Sequence, residues 1–219
     1  MLTLKEVIQV KLAAQFMNDL DTRQIIMCSK NEIWSEVIRK ETSALCIPFT
    51  LQEDIIASIE PITLQISDWL DDHNGIFTKK QEDSLKFCFY ADGDVDRVKT
   101  ADLLIHSEVL DVQTRFLLAC QYWSMWDVLA FFKNLQDFER EQILHKYSTA
   151  NEDLNLYEKN AVQWVKDYKE GSINESRSWC YQYYNWNYVS LQSHLLDDLT
   201  EEERYIVLDK YLKLHLAYA

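Results

Sequence analysis

The chain has 219 residues, 47% hydrophobic and 13% aromatic, and its 22 Lys and Arg against 36 Asp and Glu give a formal charge of −14. That apolar content excludes a disordered chain. The acidity excludes nucleic acid and anionic membranes as partners, because phosphate neutralisation needs a basic patch and the densest basic run is Lys79-Lys80.

Only three glycines and two prolines interrupt the chain. Eight Ser/Thr-x-x-Glu/Gln/Asp pairs punctuate it: Thr3/Glu6, Ser29/Glu32, Thr50/Glu53, Thr78/Gln81, Ser124/Asp127, Thr149/Glu152, Ser172/Glu175 and Thr200/Glu203. In such a pair the first side chain accepts from a free N–H of a helix start and the second reaches back to another, closing a capping box. The near-even spacing of the pairs, more than their number, predicts a succession of helices.

In chain order, residues 3–18 carry Leu4, Val7, Ile8, Leu12 and Phe16 on one face of an amphipathic helix. A second helix follows over 31–40, with Ile33, Trp34, Val37 and Ile38. Pro48 is a break, and from Thr50 the pattern runs to about His73, either kinked or divided at Pro61. Asp72-His73-Asn74-Gly75 reads as a stop and turn. A short helix is expected over 79–91, ending at Gly93. Asp94 is then expected to cap 95–106, and Asp111 the helix that holds Phe116, Leu117, Ala119, Cys120 and Trp123. Further helices are predicted over 125–135, 138–147, 152–169, 173–197 and 201–217. No Val/Ile/Thr alternation bounded by turns predicts a sheet.

The expectation is an all-α fold of nine to eleven helices, an irregular multi-helix bundle or a short, solenoid-like α-hairpin array. It is taken as one domain over 1–219, with a soft boundary near 74–79. The array reading draws on a possible repeat. Cys120-x5-Trp126 recurs as Cys180-x5-Trp186, and Arg140-x2-Ile143-Leu144-x-Lys146-Tyr147 recurs as Arg204-x2-Val207-Leu208-x-Lys210-Tyr211.

Motifs that carry chemistry are weak. Asp92-Gly93-Asp94-Val95-Asp96 opens like a calcium loop, but Arg97 stands where the loop needs glycine and Leu103 where it needs glutamate. Asp71-Asp72 lacks a third carboxylate, with Asn74, Gly75 and Ile76 in its place. No two of the five histidines stand at the i, i+4 spacing of a zinc site, and no Gly-x-Ser-x-Gly occurs. No metal, cofactor or catalytic residue is expected. Cys88 lies between Phe87 and Phe89, and Cys120 follows Leu118-Ala119, flanks that favour inert core thiols. The five scattered cysteines, without a Cys-x-x-Cys, suit a reducing compartment. With neither a signal peptide nor a membrane span, a cytoplasmic location is expected.

The one local oddity is aromatic. Tyr122-Trp123-Ser124-Met125-Trp126 and the run from Trp179 to Tyr188 carry rings on all sides of a helix. Such rings are either core between helices or an exposed binding face, for which Trp123, Trp126, Trp179, Tyr183 and Trp186 are the candidates. The function expected is a non-enzymatic protein-interaction or scaffold module with a protein partner. The alternative is an apolar small-molecule carrier, or an enzyme with a helical cavity. The sequence leaves the oligomeric state open.

The stretch Asp96-x2-Lys99-Thr100-Ala101-x-Leu103-Leu104-Ile105, followed by Asp111 to Leu129 with Thr114-Arg115-Phe116, Leu118-Ala119-Cys120 and Tyr122-Trp123, resembles a segment shared by uncharacterised arthropod proteins, spider ones especially. The match covers 92–135, and Ser124-Met125-Trp126 departs from the acidic stretch expected there. The resemblance implies an all-helical protein and supplies no catalytic residue.

Overall fold

The computed structural model describes residues 3–122, 125–148, 154 and 156–171, with backbone alone at 125–127, 156, 157 and 160. The described residues form ten α-helices and no strand; a lone antiparallel bridge joins Phe89 to Val95. The fold is all-α. None of the described helices is long and apolar enough to cross a membrane. The chain divides into two compact units, Met1–Leu110 and Asp111–Ala219, so residues 74–79 lie inside the first.

The first unit holds α1 (Leu4–Asn18), α2 (Leu20–Cys28), α3 (Asn31–Ala44), α4 (Phe49–Asp72), α5 (Lys79–Ser84) and α6 (Arg97–Ile105). Thr3/Glu6 and Thr78/Gln81 close the predicted capping boxes on α1 and α5. Two other pairs do not. Ser29 ends α2 and Lys30 precedes α3, while Pro48 holds the N-cap position of α4, two residues ahead of Thr50, which lies inside the helix. Glu53 instead receives Arg39 from α3, with Nε at 2.7 Å. The remaining four pairs involve residues outside those described.

Helix α2 lies where no helix was predicted. Its cap is a carboxylate: Asp19 Oδ1 accepts from the Thr22 N–H at 2.9 Å.

The long helix α4 supplies the spine. Gln52, Ile55, Ile59, Ile62, Ile66 and Trp69 are all buried, at alternating three- and four-residue steps, and His73 follows four residues on. Pro61 does not divide it. Pro61 and Ala57 both face outward, so the one backbone bond that proline deletes leaves an exposed carbonyl rather than a buried one.

Helix α1 runs beside α4 in the same direction, since Gln9 bonds Asp54 and Met17 meets Thr63. Its buried face is Gln9, Ala13, Ala14 and Met17. The predicted stripe is therefore not the core side: Leu4 is 77% exposed and Ile8 43%. Two features fix the rotation. Asp54 holds both Lys5 and Gln9 at 2.7 Å. Ala13 and Ala14 are also small enough to bring the two backbones close.

Helix α5 stops at Ser84, well short of the predicted 91. An extended arm over 85–91 replaces its second half. Leu85 and Phe87 are buried and Lys86 is exposed, a period-2 pattern. Gly93, at φ +98°, turns the chain back. The cap of α6 is Asp96, accepting from the Lys99 N–H at 3.1 Å, rather than Asp94. With Asp96 N–H bonded to the Cys88 carbonyl at 2.8 Å, the chain leaves the arm two residues later than the sequence suggests.

The second unit holds α7 (Val112–Tyr122), α8 (Met125–Asn134), α9 (Asp137–Lys146) and α10 (Leu156–Glu170). Asp111 caps α7 as expected, accepting from the Thr114 N–H at 2.9 Å. The core is a ring cluster. Phe116 meets Trp164 edge-on at 5.3 Å, Phe132 meets Trp164 at 4.8 Å, and Tyr168 stacks on Trp164 at 5.2 Å. Phe116, Phe132, Tyr147 and Trp164 are fully buried. The helices predicted over 173–197 and 201–217, and the second repeat copy, lie outside the described residues.

Candidate functional site

Of the five predicted binding residues, Trp123, Trp179, Tyr183 and Trp186 lie outside the described residues. Trp126 belongs to α8, its backbone alone described.

Among the described residues, His73, Asp72 and Asp96 are withdrawn from solvent or already engaged. His73 is 2% exposed, stacked on Trp69 at 3.9 Å between ring centres, and 2.6 Å from the Trp69 carbonyl through Nδ1. A carbonyl only accepts, so Nδ1 carries the hydrogen. Burial, helped by the nearby Arg97 charge and opposed by the Trp69 bond, lowers its pKa to about 3. The ring is neutral at any ordinary pH. Asp72 pairs with Arg97. Burial pushes Asp96 up, but the bonds from Lys99 and Tyr90 outweigh it and hold the carboxyl below the usual range. No cluster of His, Cys, Asp or Glu able to hold a metal occurs among the described residues.

The cysteines divide. Cys120 is buried, as its flanks lead one to expect, while Cys88 is half-buried and Cys28 and Cys46 are exposed. Burial, then the Asp96 charge, pushes the Cys88 thiol up; burial alone drives that of Cys120 well above its ordinary value. Neither is poised as a thiolate.

The arm is where the first unit departs most from regular helix packing. Its peptide groups are met by side chains from distant helices. Asn18 holds both sides of Phe87, accepting from its N–H and donating to its carbonyl, each at 2.8 Å. The Thr100 hydroxyl does the same for Cys88, at 2.9 and 3.3 Å. Buried Arg23 donates to the carbonyls of Met17, Leu85 and Asp83 at 3.1, 2.7 and 2.5 Å, placing its charge at the carbonyl ends of α1 and α5. Phe87 packs edge-on against Trp69 at 5.4 Å.

Between the arm and α1 lies an open cleft of about 420 Å³, lined by Val10, Lys11, Ala14, Gln15 and Asn18 on one side and Phe87, Phe89, Tyr90 and Ala91 on the other. It is pinned at both ends. Asn18 ties Phe87 at one end. At the other, Gly93 sits so close that an added Cβ would stand 3.5 Å from Val10 Cγ1 and 3.3 Å from Ile62 Cγ1. Sequence reasoning missed this site, although Leu85-Lys86-Phe87-Cys88-Phe89 holds the alternation that signals an extended segment.

No family model, no curated protein and no solved structure matches the chain.

Proposed function

We propose that the chain is a protein-interaction module that holds a segment of a partner protein and does no chemistry on it. The observation that carries this reading is the cleft between α1 and the arm. It is open to solvent, walled by Phe87, Phe89 and Tyr90, and brings no histidine, cysteine or carboxylate to its lining. Aromatic walls beside an apolar floor are the surface that concentrates binding energy between proteins. The charge of −14 argues against a nucleic acid or an anionic membrane as the partner. Trp123, Trp126, Trp179, Tyr183 and Trp186 are a second candidate face of the same module.

A carrier of an apolar small molecule is the second reading. The same cleft favours it, because about 420 Å³ falls in the range of small-molecule pockets.

Native mass spectrometry of the full chain isolated from its own cells separates the two. A protein bound in fixed ratio, and lost when the rim residue is changed by Gln15→Trp, supports the module. A bound small molecule lost by the same change transfers the cleft to the carrier reading. A complex indifferent to Gln15→Trp removes the cleft from the account, and alanine at the five aromatic positions then tests the other face.

A further inference from the structure

The arm carries a backbone edge as well as an apolar wall. In an extended chain the N–H and C=O of one residue point to the same side, and those of the next residue to the other. The Phe87 pair points to Asn18 on α1, and the Cys88 pair to Thr100 on α6. The Phe89 pair therefore faces α1, into the cleft. The bridge to Val95 agrees: its two bonds, Tyr90 N–H to Asp94 O at 2.9 Å and Asp96 N–H to Cys88 O at 2.8 Å, flank Phe89 and leave its own groups pointing outward. None of the described residues bonds the N–H or the C=O of Phe89. The opposite edge of the arm is already taken by the 94–96 turn and by Thr100.

The geometry points to strand addition: an extended, apolar segment of a partner protein, carrying a carboxylate, lies in the cleft between α1 and the arm, pairs with the N–H and C=O of Phe89, and sets its carboxylate against Lys11. This rests on the protein-interaction reading above and gives the chemistry of the partner.

Three features set that chemistry. The carboxamide of Asn18 does at Phe87 what the peptide group of a neighbouring strand would do, and Phe89 is the next position of the same edge, in register for a real strand. The span of α1 from Val10 to Asn18 is about 12 Å long, room for roughly three or four residues of extended chain between the two pins. The walls that alternate side chains would meet, Val10, Ala14, Phe87 and Phe89, are apolar. Charge then selects among extended segments. Lys11 is exposed on the rim and makes no ion pair with a described residue, whereas its neighbour Lys5 is held by Asp54, and Lys99 by Asp96. The site thus offers one cation to an anionic group in an otherwise acidic unit.

The test is a library of short random linear peptides selected on the full chain, followed by synthesis of the best binder. Selected peptides are expected to alternate apolar residues and to carry Asp, Glu or a free C-terminal carboxylate. N-methylation is expected to weaken binding about three- to tenfold at the one residue whose N–H meets the Phe89 carbonyl and to be tolerated at its neighbours, since the blocked N–H removes one backbone bond. Lys11→Glu is expected to weaken binding by about threefold or more, with the thermal midpoint unchanged. Hydrogen exchange at the Phe89 amide is expected to slow at saturating peptide.

A binder that tolerates N-methylation at every position, or leaves Phe89 exchange unchanged, overturns strand addition while leaving the interaction module standing. Protection of Phe89 that grows with protein concentration alone also overturns it, and assigns the edge to a second copy of this chain. If no peptide is retained by the folded chain, the proposal falls, and the partner found by native mass spectrometry decides the broader reading by itself.

Discussion

In the first unit, polar groups of α1, α2 and α6 are spent on other segments' backbone, whereas in the second unit rings from α7, α8, α10 and Tyr147 just after α9 touch one another in the core. Asn18, Arg23 and Thr100 together bond seven backbone groups. Phe116, Phe132, Tyr147 and Trp164 pack by area and edge-to-face contact instead. Hydrogen bonds are directional and costly to leave half-made, so they fix an irregular segment in one position. Ring packing is larger in total and more forgiving in detail. The first unit can therefore hold an extended arm off a helix and keep a cleft between them.

The largest effect expected from breaking this contrast is in the second unit. Trp164→Ala removes a fully buried ring that touches Phe116, Phe132 and Tyr168, and is expected to cost about 3–5 kcal/mol. Urea unfolding, read together with hydrogen exchange in α7 and α10, checks it; a loss below about 1 kcal/mol would show that the cluster is not the core of that unit.

Next is Arg23→Met, which keeps much of the apolar bulk and strips three carbonyls of their donor. About 3 kcal/mol is expected, with faster exchange of the arm amides, while Thr22→Ser beside it should leave the arm amides alone. A Met variant as stable as the parent, with its arm still protected, would mean that area rather than bonding holds the arm.

The acid limb of stability sharpens the comparison further. The folded pKa of His73 is depressed to about 3 from an ordinary 6.5, so between those values the unfolded chain binds the proton and the folded chain does not. Its contribution is present in full above pH 6.5 and is lost as pH falls toward 3, by about 1.4 kcal/mol per pH unit. His73→Phe is expected to flatten the curve between pH 6.5 and 5, above the range of ordinary carboxylates. An unchanged slope would remove His73 from the acid response.

The smallest effect expected is Gly93→Ala, about 1–2 kcal/mol from the φ of +98° and the 3.3 Å approach to Ile62. Thermal melting measures it, and a variant that melts at the parent's temperature would show that the turn relaxes freely.

Local bonds were legible in the sequence. Thr3 and Thr78 cap through partners three residues away, as does Asp111, and α4 follows from a stripe whose every member lies on one helix. The arm was not legible, because the groups that hold it lie far away in the chain. Asn18 reaches Phe87 across 69 residues and Arg23 reaches Leu85 across 62, so nothing near residue 85 marks where α5 must end. The facing of α1 failed for a related reason. Leu4, Ile8 and Leu12 make a tidy stripe, but Asp54, on another helix, decides the rotation by claiming Lys5 and Gln9. The aromatic runs at 122–126 and 179–188 lie almost wholly outside the described residues; among the described rings of the second unit Phe116, Phe131, Phe132, Tyr147 and Trp164 are buried, while Phe138 is exposed.

One junction sets a limit on how this chain can change in length. Asp19 closes α1, its N–H bonding the carbonyls of Gln15 and Phe16 at 3.1 and 3.2 Å, and the same residue's carboxylate opens α2. No spare residue separates the two helices. Inserting or deleting a single amino acid there would swing everything downstream on α2 by about 100° and slide it by about 1.5 Å. Arg23, four positions along, would miss all three of its carbonyls. Indels are thus expected to be barred from this corner and to collect elsewhere, as in the three-residue link over 45–47 between α3 and Pro48.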